Sequence, residues 1–178
     1  VSGLGRVKLV DGTFRVSEVY LLDQEASQAH VTLDPQAVAS LQGQLLKRKV
    51  PGSELRFWWH THYNFSCFWS TTDVATALRL AGSSAEWMLS LVLNQKGYAL
   101  ARVDVVKPFR LGVDELKVNL ERAADPRLKE RCEAEVKRKV KVYQPPPLES
   151  PYGGLGGFSR PGLENHEPVN RDLPLAGT

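Results

Sequence analysis

The stretch ELRFWWHTH, residues 54–62, constrains this chain more than any other. It reads as a buried strand, because aromatic side chains dominate it and favour the packed surface of a sheet. Its histidines, His60 and His62, are two residues apart, so strand alternation turns both imidazoles to one face. Residues 63–69 form a loop, and STTDVATALRLAG opens a helix in which Ser70 and Asp73 have capping-box spacing. The Asp73 carboxylate then lies in the first helical turn, able to reach back toward the strand end.

The flanking segments place this unit in a fold. RVKLVDGTFRVSEVYLL reads as a hairpin turning at Asp11-Gly12. LDPQAVASLQGQLLKRK reads as a helix, with Asp34 as N-cap, Pro35 in the first turn, and Ala37, Val38, Leu41, Leu45 and Leu46 at helical spacing. AEWMLSLVLNQKGYALARVDVV is a second hairpin turning near Gln95–Gly97, LGVDELKVNL fits helix or strand, and DPRLKERCEAEVKRKVKV is a charged, exposed helix. This order predicts an α/β sandwich with a mixed central sheet flanked by helices. The expected organisation is a domain over 1–124, a charged helix over 125–143, and a Pro/Gly-rich, mostly disordered tail over 144–178.

Composition narrows the classes of function. The chain has 178 residues, 42% apolar and 24% charged, as in ordinary globular proteins. A net charge of +3 does not point to nucleic acid, and the Lys137-Arg138-Lys139 run reads as an exposed helix face. Two cysteines make no disulfide framework, so a reducing, cytoplasmic setting is expected. No apolar run approaches the roughly 20 residues that span a bilayer, and membrane is not an expected partner. The start shows no signal-peptide pattern and no methionine, so further chain is expected upstream.

Two histidines and one aspartate make three protein ligands, and a three-ligand zinc site leaves a fourth position for water, the catalytic arrangement. His60-x-His62, seven residues, then Ser70-x-x-Asp73 resembles the signature of the JAMM (MPN-domain) zinc metalloproteases, over roughly residues 1–120. The short AGSSAEW connection after the second helix resembles a compact prokaryotic-type member. The resemblance implies an MPN-like fold. It implies Zn2+ on His60, His62 and Asp73, with Ser70 helping to position or stabilise the tetrahedral intermediate. It implies a protein or peptide substrate cut at a peptide or isopeptide bond, including one after the tail of a ubiquitin-like protein, and it leaves a homodimer open. Catalytically inactive MPN domains that act as scaffolds are the alternative, although those typically lose the ligands present here.

The family also uses a glutamate as general base and acid, in a pattern like Glu-Val-x-Gly-Leu. Val1-Ser2-Gly3-Leu4 fits the four residues after that glutamate, so the base is expected immediately before Val1; Glu18 is the alternative, and Glu25 also lacks the pattern. Cys67 is either a fourth, inhibitory ligand or a packed thiol. Trp58, Trp59, Phe65, Phe68 and Trp69 are expected to form core and site walls. His30 and His166 have no partner spacing and read as non-ligands, and the glycine-rich 152–157 stretch reads as a linker.

Overall fold

Asp11 and Gly12 both adopt positive φ, +50° and +73°, as a two-residue hairpin turn with right-handed strand twist requires. They join β1 (Ser2–Val10) to antiparallel β2 (Thr13–Leu21). The structure, a computed structural model, describes residues 1–27, 31–82, 85–120 and 125–143, which belong to one compact unit, Val1–Gln144. The 144–178 tail, His30 and His166 lie outside the described residues.

Two short strands come next, β3 (Gln24–Ala26) and β4 (Val31–Leu33), then helix α1 (Pro35–Lys47), capped by the Asp34 carboxylate accepting from Gln36 N at 2.8 Å. After a 3₁₀ turn at Gly52–Glu54 come β5 (Phe57–Thr61), α2 (Thr71–Ala81), β6 (Trp87–Leu93), β7 (Ala99–Val105), β8 (Leu111–Leu116), α3 (Leu128–Lys139) and β9 (Val140–Val142). The protein is thus mixed α/β. A six-stranded sheet runs β2-β1-β5-β6-β7-β8, and a three-stranded sheet runs β4-β3-β9. In the larger sheet only β5 and β6 are parallel.

Three expectations change in detail. The stretch 111–120 resolves as strand β8 over Leu111–Leu116. The charged helix expected to Val142 stops at Lys139, because Val140-Lys141-Val142 pairs in parallel with β3 and satisfies its backbone there. The strand expected over 54–62 is shorter, since Glu54 sits in the 3₁₀ turn, but His62 N still donates to Leu93 O at 2.8 Å and extends the ladder. Among the described residues no helix is long and apolar enough to cross a membrane.

Helices α1 and α2 cover one face of the larger sheet. Leu41 and Leu45 of α1 and Ala77 and Ala81 of α2 pack with Leu4, Trp58 and Met88 from the strands. The opposite face carries its own cluster, Val7, Phe57, Leu89 and Val103, flanked by Phe14, Trp59 and Trp87. Gly3 and Gly5 make this second face possible. A Cβ on Gly3 would lie 2.7 Å from Trp59 Nε1, and one on Gly5 2.6 Å from the Phe57 ring, so both rings lie across the bare backbone of β1. The opening VSGLG is therefore a packed strand beside β5, with Ser2 opposite His60 and Leu4 opposite Trp58.

Glu18 sits elsewhere, on β2 opposite Arg6. Its carboxylate accepts from Arg6, from the Tyr20 hydroxyl and from Arg48, at 2.8 Å and 3.0 Å for Arg48. The Arg48 and Tyr20 hydrogen bonds, reinforced by the charges of Arg48 and Arg6, hold its pKa down to about 2. Because the folded value lies below the ordinary 4.5, this stabilisation is complete above the ordinary value and is lost as pH falls toward the folded one. Glu18→Gln is expected to lower the thermal unfolding midpoint at pH 7 and to shrink the further drop on acidification. A melting series from neutral to strongly acidic pH checks both.

Candidate metal centre

Three ligand-type atoms converge where β5 ends and α2 begins. His60, His62 and Asp73 each offer one atom, all within 4.8 Å of one another. His60 Nε2 is 3.1 Å from His62 Nε2 and 3.4 Å from Asp73 Oδ1, and His62 Nε2 is 3.9 Å from Asp73 Oδ2. Strand alternation aims both imidazoles the same way, and the α2 N-terminus swings the carboxylate onto them.

His62 and Asp73 each hydrogen-bond to a partner of their own, whereas His60, whose buried Nδ1 has no hydrogen-bond partner among the described residues, is held by ring stacking. His62 Nδ1 lies 2.9 Å from the Ser66 carbonyl, which can only accept. The ring therefore donates from Nδ1, and in its neutral form Nε2 keeps its lone pair. His60 is buried and stacked on Trp58, with ring centroids 4.5 Å apart and planes at 19°. Trp58 Nε1 donates to Ser2 Oγ at 2.8 Å, and that hydroxyl donates to Trp59 O at 2.9 Å. The Gln24 side chain completes the support: its Oε1 accepts from Ser2 N, and its Nε2 donates to Ser2 O, both at 2.8 Å. The buried amide thus stands in for a strand neighbour and fixes β1 beside His60.

Burial pushes the His60 pKa down to about 4 against the opposing pull of the Asp73 charge, so the ring is neutral at pH 7, the ligand form. The two Nε2 atoms lie 3.1 Å apart, a distance that a proton on His60 Nε2 bridges, and a divalent cation in place of that proton binds both lone pairs together with the carboxylate. The N,N,O donor set suits zinc. The residues therefore fit the metal expected from the sequence.

Ser70 and Asp73 form a reciprocal cap. Ser70 Oγ accepts from Asp73 N at 3.1 Å, while Asp73 Oδ2 accepts from Ser70 N at 2.9 Å and from the Ser70 hydroxyl at 2.6 Å. These bonds occupy Oδ2 and leave Oδ1 directed at His60. In this arrangement the Ser70 proton is committed to Asp73, so Ser70 holds the Asp73 carboxylate in place. Ser70→Ala is expected to cost about 1 kcal/mol of stability through the lost cap. It should also weaken zinc binding by about 10–100-fold, as lost outer-shell partners do. Ser70→Thr, which keeps both bonds, should restore most of each. Thermal melts and a competitive chelator titration read the two effects.

The remaining expected residues separate. Cys67 Sγ donates to Tyr98 O at 3.4 Å and is not in the ligand cluster, and partial burial raises its pKa. Trp58 is core, and Trp59 and Trp69 are half-buried, Trp69 meeting His60 edge-on at 5.8 Å. Phe65 and Phe68, expected to form core and site walls, are exposed, and Phe68 still meets the His62 ring edge-on at 4.9 Å. Glu18 does not join the site. It lies four residues along β1 from Ser2, about 13 Å at strand rise, and one strand further out. Gln24 and Ser2 escape a reading by sequence, because neither shows a spacing signal to the histidines. A scan of the chain against models of protein families finds no match, and neither does a search of curated proteins.

Proposed function

We propose that the protein is a zinc-dependent peptidase or isopeptidase of JAMM type on an MPN-like fold. The observation that carries this reading is the convergence of His60 Nε2, His62 Nε2 and Asp73 Oδ1, each fixed by a separate partner. Zinc held by such a set polarises a carbonyl and makes its water acidic near neutral pH. The chain's own residues keep the His60 imidazole neutral, aim both imidazoles, orient Asp73 through Ser70, and pack Trp58 and Trp69 against His60 on the protein side. The substrate is a peptide or isopeptide bond in a protein, including one after a ubiquitin-like tail. The setting is cytoplasmic, where two free cysteines, Cys67 and Cys132, stay reduced.

Hydrolysis also needs a proton carrier. Glu18 cannot serve, because its carboxylate is clamped by two arginines and held far below neutral pKa. The β1–β5 register offers a place for one. Ser2 pairs with His60, and Thr61 N donates to Val1 O at 2.9 Å, so a residue added before Val1 falls opposite His62. Its side chain would share the face of Ser2, His60 and His62, and a glutamate there would be the base.

One observation favours a second reading, a metal-binding scaffold without hydrolysis: among the described residues no glutamate joins the cluster. The test is to purify the full chain, measure bound metal by mass spectrometry, and assay peptide and ubiquitin-isopeptide cleavage. Zinc at one equivalent supports the site, cleavage separates enzyme from scaffold, and a chain that takes up no metal sinks both readings.

A further inference from the structure

The segment Tyr63–Phe68 and the turn Asn94–Tyr98 are braced into one platform beside the metal centre. Asn94 Nδ2 donates to Phe65 O at 3.0 Å, Gln95 N to Tyr63 O at 2.9 Å, and Cys67 Sγ to Tyr98 O at 3.4 Å. The platform is anchored on a ligand, since His62 Nδ1 donates to Ser66 O and Phe65 N to His62 O. Tyr63 is held at φ +42°, a left-handed conformation that bulky residues adopt under strain.

This rigid platform turns large rings to solvent. Tyr63, Phe65, Phe68 and Tyr98 are 55%, 62%, 53% and 67% exposed. Lys96 is the sole charge within the two stretches. Aromatic rings on loops braced by hydrogen bonds give large contact area at low entropic cost, and exposed apolar surface beside a site offers a place for a partner group to dock. Phe68 ties the platform to the chemistry. Its ring meets His62 edge-on, with centroids 4.9 Å apart. A group bound at the metal beside His62 therefore has Phe68 as its neighbour, and any chain extending from that group meets the platform.

We infer that this platform is a substrate-binding subsite of the metal centre, and that it takes a large apolar side chain on the leaving-group side of the bond to be cleaved, since a ubiquitin-like tail presents glycine on the acyl side. The inference rests on the zinc-hydrolase reading above. The near absence of charge disfavours acidic or basic residues at this position, whereas leucyl and phenylalanyl side chains bury area against Phe68 and Phe65.

The test uses equilibrium binding to the full chain loaded with Co2+, whose visible absorption reports ligand binding at the metal. The probes are malonyl hydroxamates coupled to the amino groups of phenylalanine, leucine, glycine and aspartic acid amides, which hold the metal-binding group on the acyl side and place the residue on the leaving-group side. The first two are expected to bind at least about tenfold more tightly than the others, the scale of selection by an apolar pocket. Phe68→Ala and Phe65→Ala should each reduce that advantage several-fold, with cobalt content measured alongside to separate lost preference from lost metal. Equal binding of all four probes, or an advantage kept in both variants, overturns the subsite and leaves the metal centre standing. A chain that takes up no cobalt overturns both.

Discussion

If the proposed zinc site is right, replacing His60 is expected to abolish zinc uptake while leaving the fold in place. Losing one of three ligands should weaken binding by more than the roughly 10–100-fold that outer-shell changes cost. His60 is also buried against Trp58, so alanine opens a cavity with a penalty on the order of 2 kcal/mol. His60→Gln keeps most of the volume and separates the two effects. The core of Leu4, Leu41, Leu45, Trp58, Ala77 and Met88 closes without the metal ligands, which is why folding should survive. Metal content by native mass spectrometry and unfolding by circular dichroism are the two readouts. Full zinc retention in both variants would refute the ligand assignment. Unfolding of His60→Gln together with metal loss would make the site structural.

Adding a glutamate before Val1 is expected to raise peptide or isopeptide hydrolysis by about 10²–10⁴-fold, the range a positioned general base contributes. Glutamine at the same place should give no comparable rise, because it preserves shape and hydrogen bonding but cannot take a proton. The expectation depends on the antiparallel register of β1 against β5, which continues through Val1 and Thr61 to His62. It also depends on the packing that holds β1 there, with Gly3 under Trp59 and Gln24 closing on Ser2. Comparing initial rates of the two extensions with zinc bound decides the matter. Equal rates for glutamate and glutamine would refute this location for the base.

Much of the candidate site was legible because its determinants are local. His60 and His62 share a face through the two-residue period of a strand, and Ser70 and Asp73 find one another across three residues of a helix start. The Asp34 cap and the Asp11-Gly12 turn belong to the same class of short-range interaction. Sequence alone therefore picked out the three side chains that the structure brings together, the strand-loop-helix unit that carries them, and the first hairpin.

Only the tertiary structure decided which distant residues support or leave that site. Pairing Ser2 with His60 joins residues 58 apart, and the Gln24 amide that locks Ser2 in place has no sequence signature. Glu18 was excluded by Arg48, an arginine 30 residues away whose side chain no local pattern places there. The end of α3 was set by the free edge of β3, which gave Val140–Val142 a ladder to join. Phe65 and Phe68 read as core and site walls, and the loop that carries them leaves both exposed, with Phe68 against His62 at the candidate metal centre. Periodicity specifies which way a side chain faces on its own element. The contacts that face makes depend on segments far apart in the chain, and those meet only once the sheet has assembled.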